Sequence, residues 1–245
     1  TLTGTLLWSV VPDETNPVHF ACSRNGSVVV PQGSGGRLHI VSMADGKIQT
    51  LSGGHEATVT GCTLSHDDRI CAVGHADGAG GLWDLQGAHY LRTLEGLGNP
   101  VSSVSFCEND DECLVIYDQN RPTRWQITSG KRIRTYIGTT GPLRCCAITQ
   151  DASVFAIADK DGMIRFWQAE KTAPVAEVPL YNRPLIVCAA SADGRMLAAG
   201  CIDGTLRMYA MNGGTLLHEN KAHKQAITAI ALSQTAERVA SAGWD

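Results

Sequence analysis

No stretch of this sequence approaches the roughly 18 consecutive apolar residues that a bilayer-crossing helix needs, so no membrane insertion is expected. No basic region followed by an apolar stretch opens it, so the residues present contain no signal peptide. The nine cysteines are odd in number and none forms a C-x-x-C pair, which argues against a disulfide framework or a zinc ribbon. Signatures of chemistry are missing too. Gly46-Lys47 is followed by Ile48 where a phosphate-binding loop needs Ser or Thr, and neither G-x-S-x-G nor H-E-x-x-H occurs. The turn at Asp203 is too short for a calcium loop. No 3.6-residue periodicity runs long enough to make a helix. A net charge of −4 gives no basic surface for nucleic acid or anionic lipid.

What is present is an ordinary globular composition, 43% hydrophobic, enough to build a core. Cys62, Cys71, Cys107, Cys113, Cys146, Cys188 and Cys201 fall inside short apolar runs, where a free cysteine acts as a small hydrophobe. That usage points to a reducing, cytoplasmic location. Asn25-Gly26-Ser27 is formally a glycosylation site, but it reads as a tight turn.

The organising feature is a repeat of 42 residues. Stepping by 42 from Asp77 leads to Gln119, Asp161, Asp203 and Asp245. The next position reads Gly36, Gly78, Asn120, Gly162 and Gly204. Six residues after the Asp column stand Val41, Trp83, Trp125, Trp167 and Tyr209. Other columns read Ser65, Cys107, Thr149, Ser191 and Ser233, then Gly46, Ala88, Gly130, Thr172 and Gly214, then Pro100, Pro142 and Pro184. They stay in phase without insertion or deletion, as a repeat architecture requires. Each unit divides into four short strands; in the second unit these are Val59 to Ser65, Arg69 to Gly74, Ala79 to Asp84 and Tyr90 to Glu95. Gly, Asp, Asn or Pro bounds each run, and Asp-Gly supplies a hairpin turn. Four antiparallel strands per repeat make a propeller blade, and a blade needs neighbours to bury its faces.

Gly54-His55 opens a unit, Asp77-Gly78 makes its inner turn and Trp83-Asp84 closes its third strand. This resembles a WD40 repeat, and the resemblance runs over nearly the whole chain. It implies an all-β fold, a propeller with about six blades present and a ring of seven. It also implies a hydrogen-bonded group of His, Ser or Thr, Asp and Trp inside each blade. Carried over, His55, Asp77, Trp83 and Asp84 match in the second unit, with Val73 at the Ser position. Trp125 alone stands in the third, Asp161 and Trp167 in the fourth, and Asp203 in the fifth. His223, Ser241 and Asp245 match in the last. Trp244-Asp245 imitates the family ending, but by register Asp245 belongs to the turn column. The expected domain is one propeller over 1–245: a lone fourth strand at 5–10, units of about 17–54, 55–96, 97–138, 139–180 and 181–222, and a partial unit 223–245. The register also leads us to expect that the natural protein continues past Asp245.

His55 and His223 are four repeats apart, which makes them equivalent structural positions and not a metal pair. The repeated Asp residues are explained by tight turns. No catalytic, cofactor or metal residue is therefore assigned. In WD40 proteins the face made by the fourth-to-first and second-to-third loops often binds partners. Here it would present His75, Tyr117, Arg121, Lys160, Tyr181, Arg183, Lys224 and Trp244, of which Trp, Tyr and Arg are types enriched in interface hot spots. The expected function is a non-catalytic scaffold or recognition module for other proteins or peptide motifs, within a larger protein or complex. The alternatives are a sensor propeller of a signalling NTPase and, behind it, a propeller enzyme of quinoprotein or glycosidase type. Gly4-Thr5-Leu6-Leu7-Trp8 resembles a quinoprotein blade end, but the equivalents of Trp8 read Arg92, Arg134, Ala176 and His218. Nothing in the sequence fixes the oligomeric state.

Overall fold

A computed structural model describes residues 21–23, 27–31, 36–42, 44–107, 110–118, 121–139, 141–149, 153–160, 162–180, 184–233 and 236–245, with backbone alone at 27–31. The strand expected at 5–10 lies outside these residues. Among the described residues there are 22 strands and no helix. The first sheet holds β1 (Ala21–Cys22), β2 (Ser27–Pro31), β3 (Leu38–Ser42) and β4 (Ile48–Leu51). The second holds β5 (Val59–Leu64), β6 (Ile70–His75), β7 (Gly80–Asp84) and β8 (His89–Leu94), and the third β9 (Val101–Phe106), β10 (Glu112–Tyr117), β11 (Thr123–Gln126) and β12 (Arg132–Thr135). The fourth holds β13 (Leu143–Ile148), β14 (Val154–Asp159), β15 (Met163–Gln168) and β16 (Ala176–Pro179). The fifth holds β17 (Leu185–Ala190), β18 (Met196–Cys201), β19 (Thr205–Ala210) and β20 (Leu216–Lys221), and the last pairs β21 (Ile227–Leu232) with β22 (Val239–Gly243). Each sheet is an antiparallel meander in chain order. The chain divides into two compact units, residues 1–104 and 105–245, the division falling inside β9.

The repeat columns have local physical causes. Ser65 Oγ accepts from the backbone N–H of Ile70 (2.8 Å) and donates to Asp67, closing the first turn of the second sheet. Ser191 does the same with Met196 and Asp193, and Thr149 and Ser233 also accept from the far side of their turns. Gly46, Gly130 and Gly214 all have φ near +70° and close the turn between third and fourth strands, a conformation that penalises any side chain.

The second strand is the most buried of the third, fourth and fifth sheets, with runs such as Phe155-Ala156-Ile157-Ala158 hidden on both faces. Such a strand reads as continuous apolar sequence instead of alternating. Glycines in β6 and β18 seat the next sheet. A Cβ on Gly74 would strike Val101, and one on Gly200 would stand 2.7 Å from Ile227 Cγ2. Val101, Leu143, Leu185 and Ile227 open successive first strands at 42-residue spacing, and all are buried. Full burial of each stabilises by about 1.5–3 kcal/mol. In the first unit the core is Leu38, Leu51, Cys71, Val73 and Trp83. In the second, one cluster centres on Phe155 stacked on Trp167 at 5.2 Å, and a larger one joins β14, β15, β18 and β19.

Two irregularities recur. Thr60, Arg144, Ile186 and Thr228 are skipped where the first strand pairs with the second. Leu91, Ile133 and Leu217 are skipped where the third pairs with the fourth. Each is an extra residue in one strand, a β-bulge.

Candidate functional site

The loops between fourth and first strands meet the turns between second and third strands in a fixed way. In the second sheet Gly54 lies under the indole of Trp83, so closely that a Cβ would overlap the ring. That contact explains the glycine of Gly54-His55. His55 Nε2 then meets Asp77 Oδ2 at 2.6 Å, and Asp77 Oδ1 accepts from the N–H of Ala79 at 3.0 Å. Partial burial pushes the Asp77 carboxyl up, but the Ala79 N–H and His55 outweigh it and hold it below its ordinary value. Val73 offers no hydroxyl to the imidazole; the ring instead packs edge-on to His75 at 4.8 Å.

In the last sheet the group has three members. His223 Nδ1 meets Asp245 Oδ1 at 2.8 Å and Nε2 meets Ser241 Oγ at 2.9 Å, while the Lys224 N–H donates to Asp245 Oδ2. The Lys224 N–H and His223 lower the Asp245 pKa. Asp203 makes the same turn bond, accepting from Thr205 N–H at 2.9 Å. Asp84 caps the turn after β7 by accepting from Gln86 and Gly87. Trp125 and Trp167 are buried, and the Trp167 indole N–H donates to the Ile137 carbonyl at 3.1 Å. Asp161, Tyr181 and Arg183 lie outside the described residues.

Two residues expected on the loop face are not there. His75 and Tyr117 are 3% and 1% exposed and are the last residues of β6 and β10. They share a column with Asp159 and Cys201, both buried, because the turn begins one residue later. His75 Nδ1 bonds the Ala57 carbonyl at 2.9 Å, and burial pulls its pKa below 6.5. Burial pushes the Tyr117 phenol up to about 12. Lys160 and Trp244 occupy the turn proper and are exposed, Trp244 at 72%. Arg121 and Lys224 are exposed as well. Ile202, 53% exposed, shares the Trp244 column and was not anticipated.

Also unanticipated is a set of ion pairs within the sheets. Arg165 pairs with Asp159 and with Glu177, and Arg207 pairs with Glu219. Arg165 and Arg207 are 42 residues apart, as are Glu177 and Glu219, so the repeat itself carried the signal. Arg124 pairs with Glu112 at positions that hold Leu82 with Ile70, or Phe166 with Val154, in other repeats.

The cysteines are all free. Burial raises the thiol pKa of Cys62 to about 12 and also raises those of Cys71 and Cys113, so these sulfurs are protonated packing groups and not nucleophiles. Among the described residues no three His, Cys, Asp or Glu side chains are grouped to hold a metal ion, and no helix is long and apolar enough to cross a membrane. An open cavity of about 450 Å³ lies in the first unit, between the Gly53–Ala57 loop, the Asp77 turn and the side chains of Tyr90 and Thr93 on β8.

Residues 45–84, 130–168, 182–209 and 214–245 match the WD domain, G-beta repeat, more than half of the chain in total. The chain belongs to the WD40 repeat family, an all-β fold of propeller blades. It is 31% identical over 166 residues to the small ribosomal subunit protein RACK1 of Caenorhabditis elegans, covering 64% of this chain and 50% of that protein. It is 24% identical over 151 residues to an uncharacterized WD repeat-containing protein of Schizosaccharomyces pombe, covering 62% of this chain and 38% of that one. The chain thus spans half or less of the length of these relatives.

Proposed function

We propose that this chain is a non-catalytic interaction module, a propeller blade array that docks other proteins or peptide motifs on its turn face within a larger assembly. The observation that carries this reading is the contrast between polar groups that satisfy one another and an exposed turn column beside them. His223 bonds both Asp245 and Ser241, whereas the turn column of Lys160, Ile202 and Trp244 is exposed, with Ile202 offering an apolar side chain well inside the chain. An exposed tryptophan in a turn is the kind of anchor that hot spots use. Exposed Arg121, Lys160 and Lys224, with Tyr181 and Arg183, complete the docking residues. The relative named as a ribosomal subunit protein supports membership of a large assembly. We further take residues 1–245 as parts of one propeller, acting in the cytoplasm on protein partners and not on nucleic acid.

The test is affinity capture with the whole protein as bait, wild type against the Trp244→Ala, Arg183→Ala double variant. Discrete partners that the variant loses are expected. Partners that survive in full would move the docking face elsewhere, and capture of nothing above background would end the module reading.

A further inference from the structure

Two thiols meet where the fourth sheet packs on the fifth. Beyond the bulge at Arg144, Cys145 and Cys146 follow one another in β13, so their side chains leave opposite faces of the strand. Cys146 turns to the cluster of Leu114, Phe155 and Trp167, whereas Cys145 turns to the cluster that holds Leu197 and Ala199 of the fifth sheet. Cys188 in β17 stands 42 residues after Cys146. It takes the same facing and so points back toward the fourth sheet, into the cluster that Cys145 enters. A hydrogen bond joins the side chains of Cys145 and Cys188, and that bond, ahead of burial, pushes the Cys188 thiol up. Cys188 therefore stays protonated and donates, and Cys145 accepts. Both residues keep part of their surface open to solvent. In the sequence the two columns both hold cysteine at this step alone; the next step reads Val187 with Ile230. Aliphatic side chains serve there, so packing does not call for sulfur at both positions.

We infer that Cys145 and Cys188 form a reversible disulfide when the chain meets a hydroperoxide, a redox switch that staples the fourth sheet to the fifth. The Cys145 sulfur attacks one peroxide oxygen as its thiolate and the O–O bond breaks. Cys145 becomes a sulfenic acid, and the other oxygen leaves with the thiol's proton, as water when the oxidant is hydrogen peroxide. The Cys188 sulfur then bonds the Cys145 sulfur, and the sulfenic hydroxyl departs with the Cys188 proton as water. The two sulfurs supply both electrons that the peroxide accepts. A small thiol reverses the step by exchange, and transient disulfides of this kind are the ones a reducing compartment permits. The link closes residues 145–188 into a loop, which restricts the unfolded chain while joining strands already packed together in the folded one. The switch goes beyond the reading of the chain as an interaction module and does not depend on it.

The experiment treats the reduced full chain with hydrogen peroxide at a concentration that keeps molecules apart, caps the remaining thiols with iodoacetamide and maps linked peptides by mass spectrometry. A Cys145–Cys188 link is expected, with a hydrogen lost from each sulfur and full reversal by dithiothreitol. Cys146→Ala should keep the link, which assigns the partner of Cys188 to Cys145. Oxidation should raise the melting temperature by about 5–10 °C in the wild type and in Cys146→Ala. Cys188→Ala should lose both the link and the rise, with dimedone capturing the Cys145 sulfenic acid instead. No link between these two sulfurs, a link through Cys146 or between molecules, or a rise that persists in Cys188→Ala overturns the inference. Should Cys188→Ala fail to fold, the linked peptide and its reversal in the wild type and in Cys146→Ala decide alone.

Discussion

His55 and His223 occupy the same place in two repeats yet present different nitrogens to their aspartates, Nε2 to Asp77 and Nδ1 to Asp245. The difference follows the second strand. Ser241 takes the far nitrogen of His223, whereas Val73 cannot, and the His55 ring meets His75 instead. His75 gives this arrangement a pH dependence. Burial depresses its folded pKa below 6.5, although the Ala57 carbonyl opposes the shift. The unfolded chain therefore binds the proton more readily, so stability is full above pH 6.5 and declines as pH falls toward the folded value. Asp77, with its folded pKa lowered, adds stability that is lost only well below that range, as pH drops through its own folded value under 3.8. Urea midpoints taken from about pH 7.5 to about pH 5 should fall in the wild type and flatten in His75→Gln, where the amide keeps a donor for Ala57 without titrating. An equal slope in both proteins would assign the acid sensitivity to other groups.

At the scale of the element, turns do most of the specifying. Gly194 and Gly204 both sit at positive φ, +70° and +84°. A Cβ on Gly194 would meet only the Thr149 side chain, at 3.4 Å or more, while one on Gly204 would strike the carbonyl of His223 and lie 2.5 Å from that of Gln225. Gly194→Ala should cost about 1–2 kcal/mol, the price of a left-handed alanine. Gly204→Ala should cost clearly more, since backbone cannot step aside, and paired chemical denaturation of the two variants measures the gap. These turns were legible beforehand, because glycine, aspartate and serine stand at fixed offsets for steric and hydrogen-bonding reasons that survive translation along the chain. The bulges at Leu91, Ile133 and Leu217 were not, because every repeat that carries one keeps the same length, and pairing leaves no mark on hydropathy. Arg165 and Arg207 escaped notice for another reason: a charged residue in a strand is ordinarily assigned to solvent, and only its glutamate partner one strand away makes burial tolerable. His75 and Tyr117 were placed on loops because a strand end and a turn differ by one residue, a distinction that apolar patterning does not resolve.

At the scale of the molecule, each unit gains cohesion from the same kind of seat, a glycine of one sheet's second strand taking a β-branched side chain from the next sheet's first, Gly74 with Val101 and Gly200 with Ile227. Ile227, fully buried against Gly200, holds the last pair of strands to the fifth sheet. Ile227→Ala should lower the unfolding free energy by about 2–5 kcal/mol, because glycine opposite cannot swell to fill the void. A calorimetric loss under about 1 kcal/mol would show that the two sheets are held by other contacts. The family and blade composition were readable from the 42-residue period, since a period is a property of the chain. The cavity beside Glu56 was not readable, since it forms between the Gly53–Ala57 loop, the Asp77 turn and β8, which the repeat columns do not relate to one another.

The bulged outer strands bear on how such molecules coexist at high concentration. A fourth strand is the edge of its sheet, with backbone groups that could recruit a strand from another molecule. At Leu91, Ile133 and Leu217 the extra residue interrupts the ladder and coils the edge away from flatness. Those three edges offer a less regular template for a foreign strand than β4 and β16, whose pairing runs without a break.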